Sequence, residues 1–306
     1  MSMRCLSMRG RSLLRDSRVR VIGFVGLAAL VLWTSLFLTR PQNMEVTFLD
    51  VGDGLCTVVR TPAGRTLVMD CGTSSWRENS PTIGSKLVGP YLRRLGVDSI
   101  DVAVLSHPHS DHDCGFPGLL KIAPAGLVID CGVRSKSPEY VAFLKAVKAC
   151  HARYRTARRG QVIDMGDGVQ ATIVDPPPGV CYADLNDRSM VLRLTYKGVA
   201  VLLTGDASEP AEQEMVKSGM NVHAQVLQVG HHGSRQATSA VWLAAVRPSV
   251  AVISCARRSR YHFPSRVVLG RLRSCGARTY VTGQCGAVTV TTDGRTLRVD
   301  TVRDLQ

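Results

Sequence analysis

Four residues of types that commonly bind metal ions stand within one six-residue segment. It reads His-Pro-His-Ser-Asp-His and places His107, His109, Asp111 and His112 directly after residues 100–106, an apolar stretch typical of a buried strand. Alternate side chains at an extended strand end point the same way, so the first two histidines can face one ion and the last two residues a second. Imidazole with carboxylate suits zinc, iron or manganese. A polar turn with exposed histidines is the alternative interpretation, which this spacing disfavours.

Two later segments repeat the order of apolar strand and polar turn. Residues 201–203 lead through Thr-Gly to Asp206, whose carboxylate can bridge two cations or simply cap the next helix. Residues 224–228 are followed by Val-Gly-His-His-Gly-Ser, in which glycines flank His231 and His232 and permit close approach of the backbone to a ligand. Three strand ends with metal-capable side chains therefore point to a shared metal centre.

The order H-x-H-x-D-H, T-G-D and G-H-H-G-S resembles the metallo-β-lactamase superfamily. More closely, it resembles the metallo-hydrolase domain of the DNA-internalisation competence proteins (ComEC family). Supporting segments lie at residues 48–52, 66–72 and 186–192, and the likeness covers about residues 44–299. The resemblance implies an α/β fold, the four-layer αβ/βα sandwich, and a hydrolase with two divalent metal ions, zinc or manganese.

The resemblance also implies roles for individual side chains. Six of them would be metal ligands: His107 and His109 on one ion, Asp111 and His112 on the other, the bridging Asp206, and the later His231. His232 is the second choice for that last position, or a donor to an oxyanion or phosphate. Asp111 or Asp206 would orient the attacking water and accept its proton.

One histidine of the wider superfamily has no counterpart here. Only His151 lies between the first motif and the T-G-D motif, in a stretch predicted to be helical. Asn186 and Asp187 stand where that ligand is expected, so either would complete the shell of a less tightly held ion. Asp70, Asn186 and Ser189 are expected behind the ligands, where such residues orient them.

The first part of the positive charge belongs to the N-terminus. The 306 residues carry 38 Lys and Arg against 24 Asp and Glu, for a net charge of +14. Residues 1–40 supply +6 of it, from seven Arg and one Asp, around an uncharged apolar run at residues 21–38. This run predicts a single transmembrane anchor, with residues 1–20 as a basic cytoplasmic N-terminus and residues 44–302 as an extracytoplasmic hydrolase domain. A cleaved signal peptide is the alternative.

The remaining +8 lies beyond the predicted anchor. Arginine clusters at residues 153–159 and 257–260 suit a phosphate backbone, although a solvated basic face explains them equally well. Arg257, Arg258 and His262 are expected to contact substrate, with a structural role for His262 as the alternative.

Three functions are compatible with these observations. The first is a membrane-anchored metal-dependent hydrolase that cleaves phosphodiester bonds in DNA, with a separate DNA-uptake channel as a candidate partner. The second is a hydrolase of another ester, a thioester or a lactam. The third is a non-catalytic DNA-binding relative, motivated by the absent histidine and by an altered loop at residues 52–56. The composition, 45% hydrophobic and 20% charged, excludes a disordered chain.

The rest of the chain alternates between strand and helix patterns. Short apolar runs predict strands over residues 44–50, 55–61, 65–70, 100–106, 127–130, 169–174, 190–196, 199–203, 224–228, 250–254, 278–281, 287–292 and 297–302. Helical spacing of apolar residues predicts helices over residues 81–95, 113–122, 140–149, 208–217, 239–245 and 267–274. This mixture predicts two sheets with helices on the outside.

The ten cysteines form no C-x-x-C pair, which excludes a zinc knuckle. In an oxidising compartment Cys131 could pair with Cys150, or Cys275 with Cys285, and buried free thiols are the alternative.

Overall fold

The computed structural model describes residues 17–38, 43–74, 82–177, 179 and 182–304. The chain divides into two compact units, Met1–Gln42 and Asn43–Gln306. The first contains helix α1 (Ser17–Leu38). The side chains described in this helix, from Arg20 to Thr34, are exposed.

The prediction of a transmembrane anchor at residues 21–38 is wrong. Within the described parts of the chain, no helix combines the length and the apolar character that crossing a membrane requires. The predicted single-pass membrane localisation is corrected with it, and most of the predicted cytoplasmic segment 1–20 lies outside the described residues.

The second unit is built on two β-sheets. Its described strands are β1 (Met44–Phe48), β2 (Thr57–Arg60), β3 (Thr66–Met69), β4 (Ile100–Leu105), β5 (Ala125–Asp130), β6 (Arg153–Thr156), β7 (Val162–Asp164), β8 (Val169–Asp175), β9 (Val191–Tyr196), β10 (Val199–Leu203), β11 (Val226–Gln228), β12 (Val250–Ile253), β13 (Arg278–Val281), β14 (Val288–Thr292) and β15 (Leu297–Thr301). One sheet has the order β15-β14-β1-β2-β3-β4-β5-β6, and the other has the order β13-β12-β11-β10-β9-β8-β7.

The described helices of this unit connect and cover the strands. They are α2 (Gly89–Arg94), α3 (Ser110–Asp113), α4 (Phe116–Ile122), α5 (Pro138–Ala149), α6 (Glu209–Lys217), α7 (Ala240–Val246), α8 (Arg266–Ser274) and α9 (Thr282–Cys285). A π-helical segment, Gly84–Val88, precedes α2, and short 3₁₀ turns occupy Asn186–Arg188 and Gly230–Gly233.

Parallel pairing brings the ends of the functional strands together. Strands β3 to β6 run parallel in the first sheet, and β10 to β13 run parallel in the second. The carboxyl ends of parallel neighbours meet at one edge of a sheet. The loops that carry the predicted ligands therefore start from the same edge of their sheets.

Three apolar clusters show the layers. Between the sheets, Phe48 and Met69 pack with Val201 and Val252, all of them buried. On the outer face of the first sheet, side chains of α4 and α5 cover β5, and on the outer face of the second, α7 and α8 cover β11. Because each sheet is apolar on both faces, the predicted four-layer αβ/βα sandwich is confirmed.

The thiols do not pair as predicted. All eight described cysteines are free, so the pairings Cys131–Cys150 and Cys275–Cys285 are wrong. Cys131 follows the carboxyl end of β5 and Cys150 precedes the amino end of its parallel neighbour β6, while Cys275 precedes β13 and Cys285 follows it. The length of a strand therefore separates the two sulfur atoms.

Candidate metal centre

Both sheets contribute to a cluster of four metal-capable side chains. One ligand atom each from Asp111, His112, Asp206 and His232 lies within 4.8 Å of the other three. His112 Nε2 is 3.3 Å from Asp206 Oδ1, and His232 Nε2 is 3.3 Å from Asp111 Oδ2 and 3.5 Å from Asp206 Oδ2. Two imidazoles and two carboxylates form a donor set that suits zinc or manganese.

The atoms that face one another in this cluster lack hydrogen-bond partners. Among the described residues, His112 Nε2, Asp206 Oδ1 and His232 Nε2 are buried without a partner. An unsatisfied buried polar atom costs about 1–3 kcal/mol, and several of them at one point are unusual in a folded protein. A divalent cation would satisfy all three, so these residues fit a metal ion.

The far nitrogen of each imidazole is fixed by the protein. His112 Nδ1 lies 2.8 Å from Asp70 Oδ2, and Asp70 also accepts hydrogen bonds of 2.7 Å from the Ser106 amide and hydroxyl. His232 Nδ1 donates to the Ser254 carbonyl at 2.9 Å. With Nδ1 of each ring held by an acceptor oxygen, loss of the Nε2 proton would leave a lone pair that faces the cluster.

Strong electrostatic coupling accompanies this geometry. Burial opposes protonation of His112 and His232, but the neighbouring carboxylates, Asp206 foremost, outweigh burial and raise the pKa of both rings well above the ordinary value. Burial also disfavours the charged carboxylates, yet the two histidines lower the pKa of Asp111 and Asp206. A bound cation would take over the role of the two imidazolium protons, so metal binding would release protons.

His107 and His109 adjoin the cluster. His107 Nε2 is 2.9 Å from His109 Nδ1, and the rings of His107 and His112 have centroids 4.2 Å apart. Burial first, and then the charge of His112, lower the pKa of His107 well below its usual value, which keeps this ring neutral. Ser189 Oγ lies 3.2 Å from His107 Nδ1 and accepts from the Asp206 amide at 3.0 Å. Ser189 thus joins the two motifs, and a second ion at His107 and His109 stays a prediction.

The paired histidines occupy different positions. His232, the second choice of the sequence analysis, enters the four-residue cluster, whereas His231 Nε2 lies 3.9 Å from Asp206 Oδ2. Both residues have left-handed backbones, with φ of 49° and 53°. Their flanking glycines are required by packing, because a β-carbon at Gly230 would lie 2.6 Å from the Ala207 carbonyl oxygen. The role of His231 as a ligand stays a prediction.

The side chains of Asn186 and Asp187 have different surroundings. These two residues stand where a histidine is usual. Asp187 Oδ1 accepts from the Ser208 amide at 3.0 Å and from the Ser208 hydroxyl at 2.5 Å, just before α6. Asn186 lines the cavity over the cluster, and its buried Oδ1 has no hydrogen-bond partner in the described part of the chain. His151 is exposed after α5. The geometry favours Asn186 over Asp187 as a neighbour of an ion, although both roles stay predictions.

A cavity of about 330 Å³ gives access to the cluster. Its lining residues are Asp53, His109, Ser110, Asp111, Asn186, Asp206, His231, His232, Tyr261 and Phe263. Arg257, Arg258 and His262, which were predicted to contact substrate, are exposed and are not among the lining residues.

Four lining residues were not predicted as site residues: Asp53, Ser110, Tyr261 and Phe263. Asp53 lies in the altered loop at residues 52–56 and accepts from the Ala256 amide at 3.0 Å, which ties that loop to the segment after β12. Tyr261 and Phe263 stack with ring centroids 5.6 Å apart, and Phe263 also stacks on His232 at 6.2 Å. The aromatic residues on either side of His262 were the available signal for this wall.

Gly72 lets two loops of the site pack backbone to backbone. A β-carbon there would lie 2.2 Å from the Asp111 carbonyl carbon and 2.3 Å from the His112 amide nitrogen. We expect Gly72→Ala to displace this turn, to weaken metal binding at least tenfold, and to destabilise the domain by about 1–3 kcal/mol. Urea unfolding and metal titration measure both effects.

Gly270→Ala is the matched control for this substitution. Gly270 lies inside α8, and a β-carbon there meets no atom within 4 Å. Alanine should leave metal binding unchanged and raise the free energy of unfolding by up to about 1 kcal/mol. Wild-type metal affinity in Gly72→Ala would show that the close packing does not hold the ligands.

Comparison with known proteins places this geometry in a wider group. The chain matches the metallo-β-lactamase superfamily over residues 49–257. It is 36% identical over 250 residues to competence protein ComA of Neisseria gonorrhoeae, covering 81% of this chain and 32% of that protein. It is 33% identical over 280 residues to recombination protein 2 of Haemophilus influenzae, covering 90% of this chain and 33% of the relative. The chain therefore spans about a third of the length of these curated relatives.

A solved structure supports the fold. The metallo-β-lactamase fold protein YhfI from Bacillus subtilis superposes with a TM-score of 0.51 at 11% identity, covering 78% of this chain and 96% of that chain. At this identity the likeness shows the fold alone. Together with the sequence matches, it confirms the resemblance inferred from the motifs.

Proposed function

The chain belongs to the metallo-β-lactamase superfamily, and we propose that it is a metal-dependent hydrolase of phosphodiester bonds with DNA as its substrate. The observation that carries the proposal is the cluster of Asp111, His112, Asp206 and His232, whose buried atoms converge beside an accessible cavity. Members of the superfamily are generally metal-dependent hydrolases. The cluster therefore supports the proposal of a cation site of the kind that such a hydrolase needs.

The cluster residues would hold one divalent ion, and His107 with His109 would hold a second beside it. Bound ions would lower the pKa of a water molecule and neutralise charge that develops on the phosphate. Asp111, whose side chain is 23% exposed and lines the cavity, is placed to orient that water and accept its proton. Asp206 is nearly inaccessible, with its side chain 3% exposed, which suits a bridging ligand.

His232 and the aromatic wall would shape the substrate side of the cavity. His232 is held by Ser254 and stacked by Phe263, so its ring has a fixed orientation. If His231 rather than His232 binds an ion when metal is present, His232 is placed to donate to a phosphate oxygen. The basic character of the domain and the competence and recombination names of the relatives support a phosphodiester substrate in DNA.

Hydrolysis of labelled DNA tests the proposal. The full chain, loaded with Mn²⁺ or Zn²⁺, should cleave single- or double-stranded DNA, and EDTA should stop the reaction. We expect His109→Ala to lower the rate at least about 100-fold, because it removes a side chain at the metal site.

His151→Ala is the matched control, since His151 is exposed after α5 and is outside the cavity lining. Bound metal without any cleavage of DNA or of a small phosphodiester would contradict the phosphodiesterase. Cleavage of a lactam or thioester instead would identify a hydrolase of another bond, and DNA binding without cleavage would identify a non-catalytic relative. Cleavage that His109→Ala leaves unchanged would point to a contaminating nuclease.

A further inference from the structure

A groove lined by arginine runs along one side of the domain. It consists of two adjoining cavities, of about 660 Å³ and 870 Å³, that share Thr156, Arg158 and Arg159. Arg155 lines one of them and Arg188 lines the other, and neither lining includes an Asp or Glu. We call these two cavities the basic groove.

The strand pairing places two arginines of β6 on one face. On β6, Arg153 and Arg155 pair with Leu127 and Ile129, which pack toward the core between the sheets. The two arginines therefore share the inter-sheet face of β6, about 7 Å apart along the strand. Arg155 lines the groove, whereas Arg153 continues the row on β6 and is not among the lining residues. Strand β6 is the edge strand of its sheet, and all four of its residues are exposed. Its inter-sheet face is therefore open to solvent.

The cations of the groove and of β6 differ in their partners. The Arg159 guanidinium is held by Glu214 and Asp175, so its charge is neutralised within the fold. Arg153, Arg155 and Arg158 are exposed, and no carboxylate among the described residues forms an ion pair with them. Arginines that lie along one open line, without internal counter-charges, suit the regularly spaced charges of a phosphate backbone.

The groove leads to the metal centre. Leu105, Asp130 and Thr156 stand side by side at the carboxyl ends of β4, β5 and β6, so Thr156 lies two strand spacings, about 10 Å, from the strand that enters the His107 motif. The turn Asn186–Arg188 spans the remaining distance: Asn186 lines the cavity over the cluster, and Arg188 lines the basic groove.

We propose that the basic groove binds a single strand of nucleic acid and directs its phosphodiester backbone to the metal centre. This inference rests on the proposed function and adds to it the surface and the form of the substrate. A single strand is favoured because the cations form one row inside a groove, which matches one backbone.

Binding without turnover tests the groove. We expect the triple variant Arg153→Ala/Arg155→Ala/Arg158→Ala of the full chain to bind a fluorescent 20-nucleotide oligothymidine at least tenfold more weakly. The slope of log affinity against log salt should fall in magnitude by about 2, because three phosphate contacts are lost. Arg155→Lys/Arg158→Lys keeps the charges and should retain most of that slope.

The control is Arg93→Ala/Arg94→Ala/Lys121→Ala, which removes three exposed cations that precede the amino ends of β4 and β5, at the opposite edge of the sheet. It should bind oligothymidine like wild type. Three results would overturn the proposal: wild-type affinity in the groove variant, an equal loss in the control, or at least tenfold preference of the wild type for duplex DNA. Hydrolysis of bis(p-nitrophenyl) phosphate by the wild type reports separately on the proposed function, since binding is measured whether or not the chain cleaves DNA.

Discussion

Asp206→Asn is expected to remove the metal from the cluster and to reduce phosphodiester hydrolysis by about 10²–10³-fold or more. Asp206 Oδ1 lies 3.3 Å from His112 Nε2 and Oδ2 lies 3.5 Å from His232 Nε2, so this carboxylate contacts both imidazoles of the cluster. An amide keeps the size of the side chain but loses the negative charge that attracts a divalent cation. Elemental analysis and the rate of bis(p-nitrophenyl) phosphate hydrolysis measure the two effects.

Asp300→Asn provides the matched control for this charge change. Asp300 is 48% exposed on β15 and pairs only with the surface residue Arg298 among the described residues. Its substitution should change neither metal content nor rate. Full metal content and wild-type hydrolysis in Asp206→Asn would contradict the assignment of the cluster as the metal centre.

Asp70→Asn is expected to weaken metal binding by about 10–100-fold while leaving much of the rate at saturating metal. Asp70 lies behind the site and fixes His112 through its 2.8 Å contact with Nδ1, without facing the cavity. Asparagine tolerates the left-handed backbone of this position, with its φ of 59°, so the substitution tests the hydrogen bonds rather than the fold. Activity measured across a range of metal concentrations separates affinity from turnover.

Removal of the whole carboxyl group should also destabilise the domain. Asp70→Ala leaves the buried Ser106 amide and hydroxyl and the His112 ring without their acceptor, at a cost of about 3–5 kcal/mol in the free energy of unfolding. If Asp70→Asn lowered the rate at saturating metal as severely as Asp206→Asn, Asp70 would act at the reacting atoms rather than by positioning His112.

Short-range motifs made the core of the site predictable. The His107–His112 segment follows a strand immediately, so the strand end alone fixes where its side chains can lie. The same reasoning applies to Asp206 after β10. Apolar runs on both halves of the chain also predicted the sandwich, because each sheet is buried on both faces.

The features that were not predicted from the sequence depend on contacts between distant segments or on backbone conformation. His231 and His232 are adjacent, and the left-handed turn that brings the second of them into the cluster leaves no trace in residue spacing. Asp53 reaches the cavity through a contact with Ala256, about 200 residues away. The edge strands β6 and β7 were not predicted, because they are short and partly or wholly exposed, so they lack the alternation of apolar residues that marks a half-buried strand.

The claim that the converging side chains form a metal centre is tested most directly by anomalous scattering from crystals of the chain grown with zinc or manganese. An anomalous peak is expected at the cluster, within ligand distance of Asp111, His112, Asp206 and His232. That peak should disappear in Asp206→Asn. A metal-containing crystal with no peak at the cluster, or with its peak elsewhere, would contradict the claim.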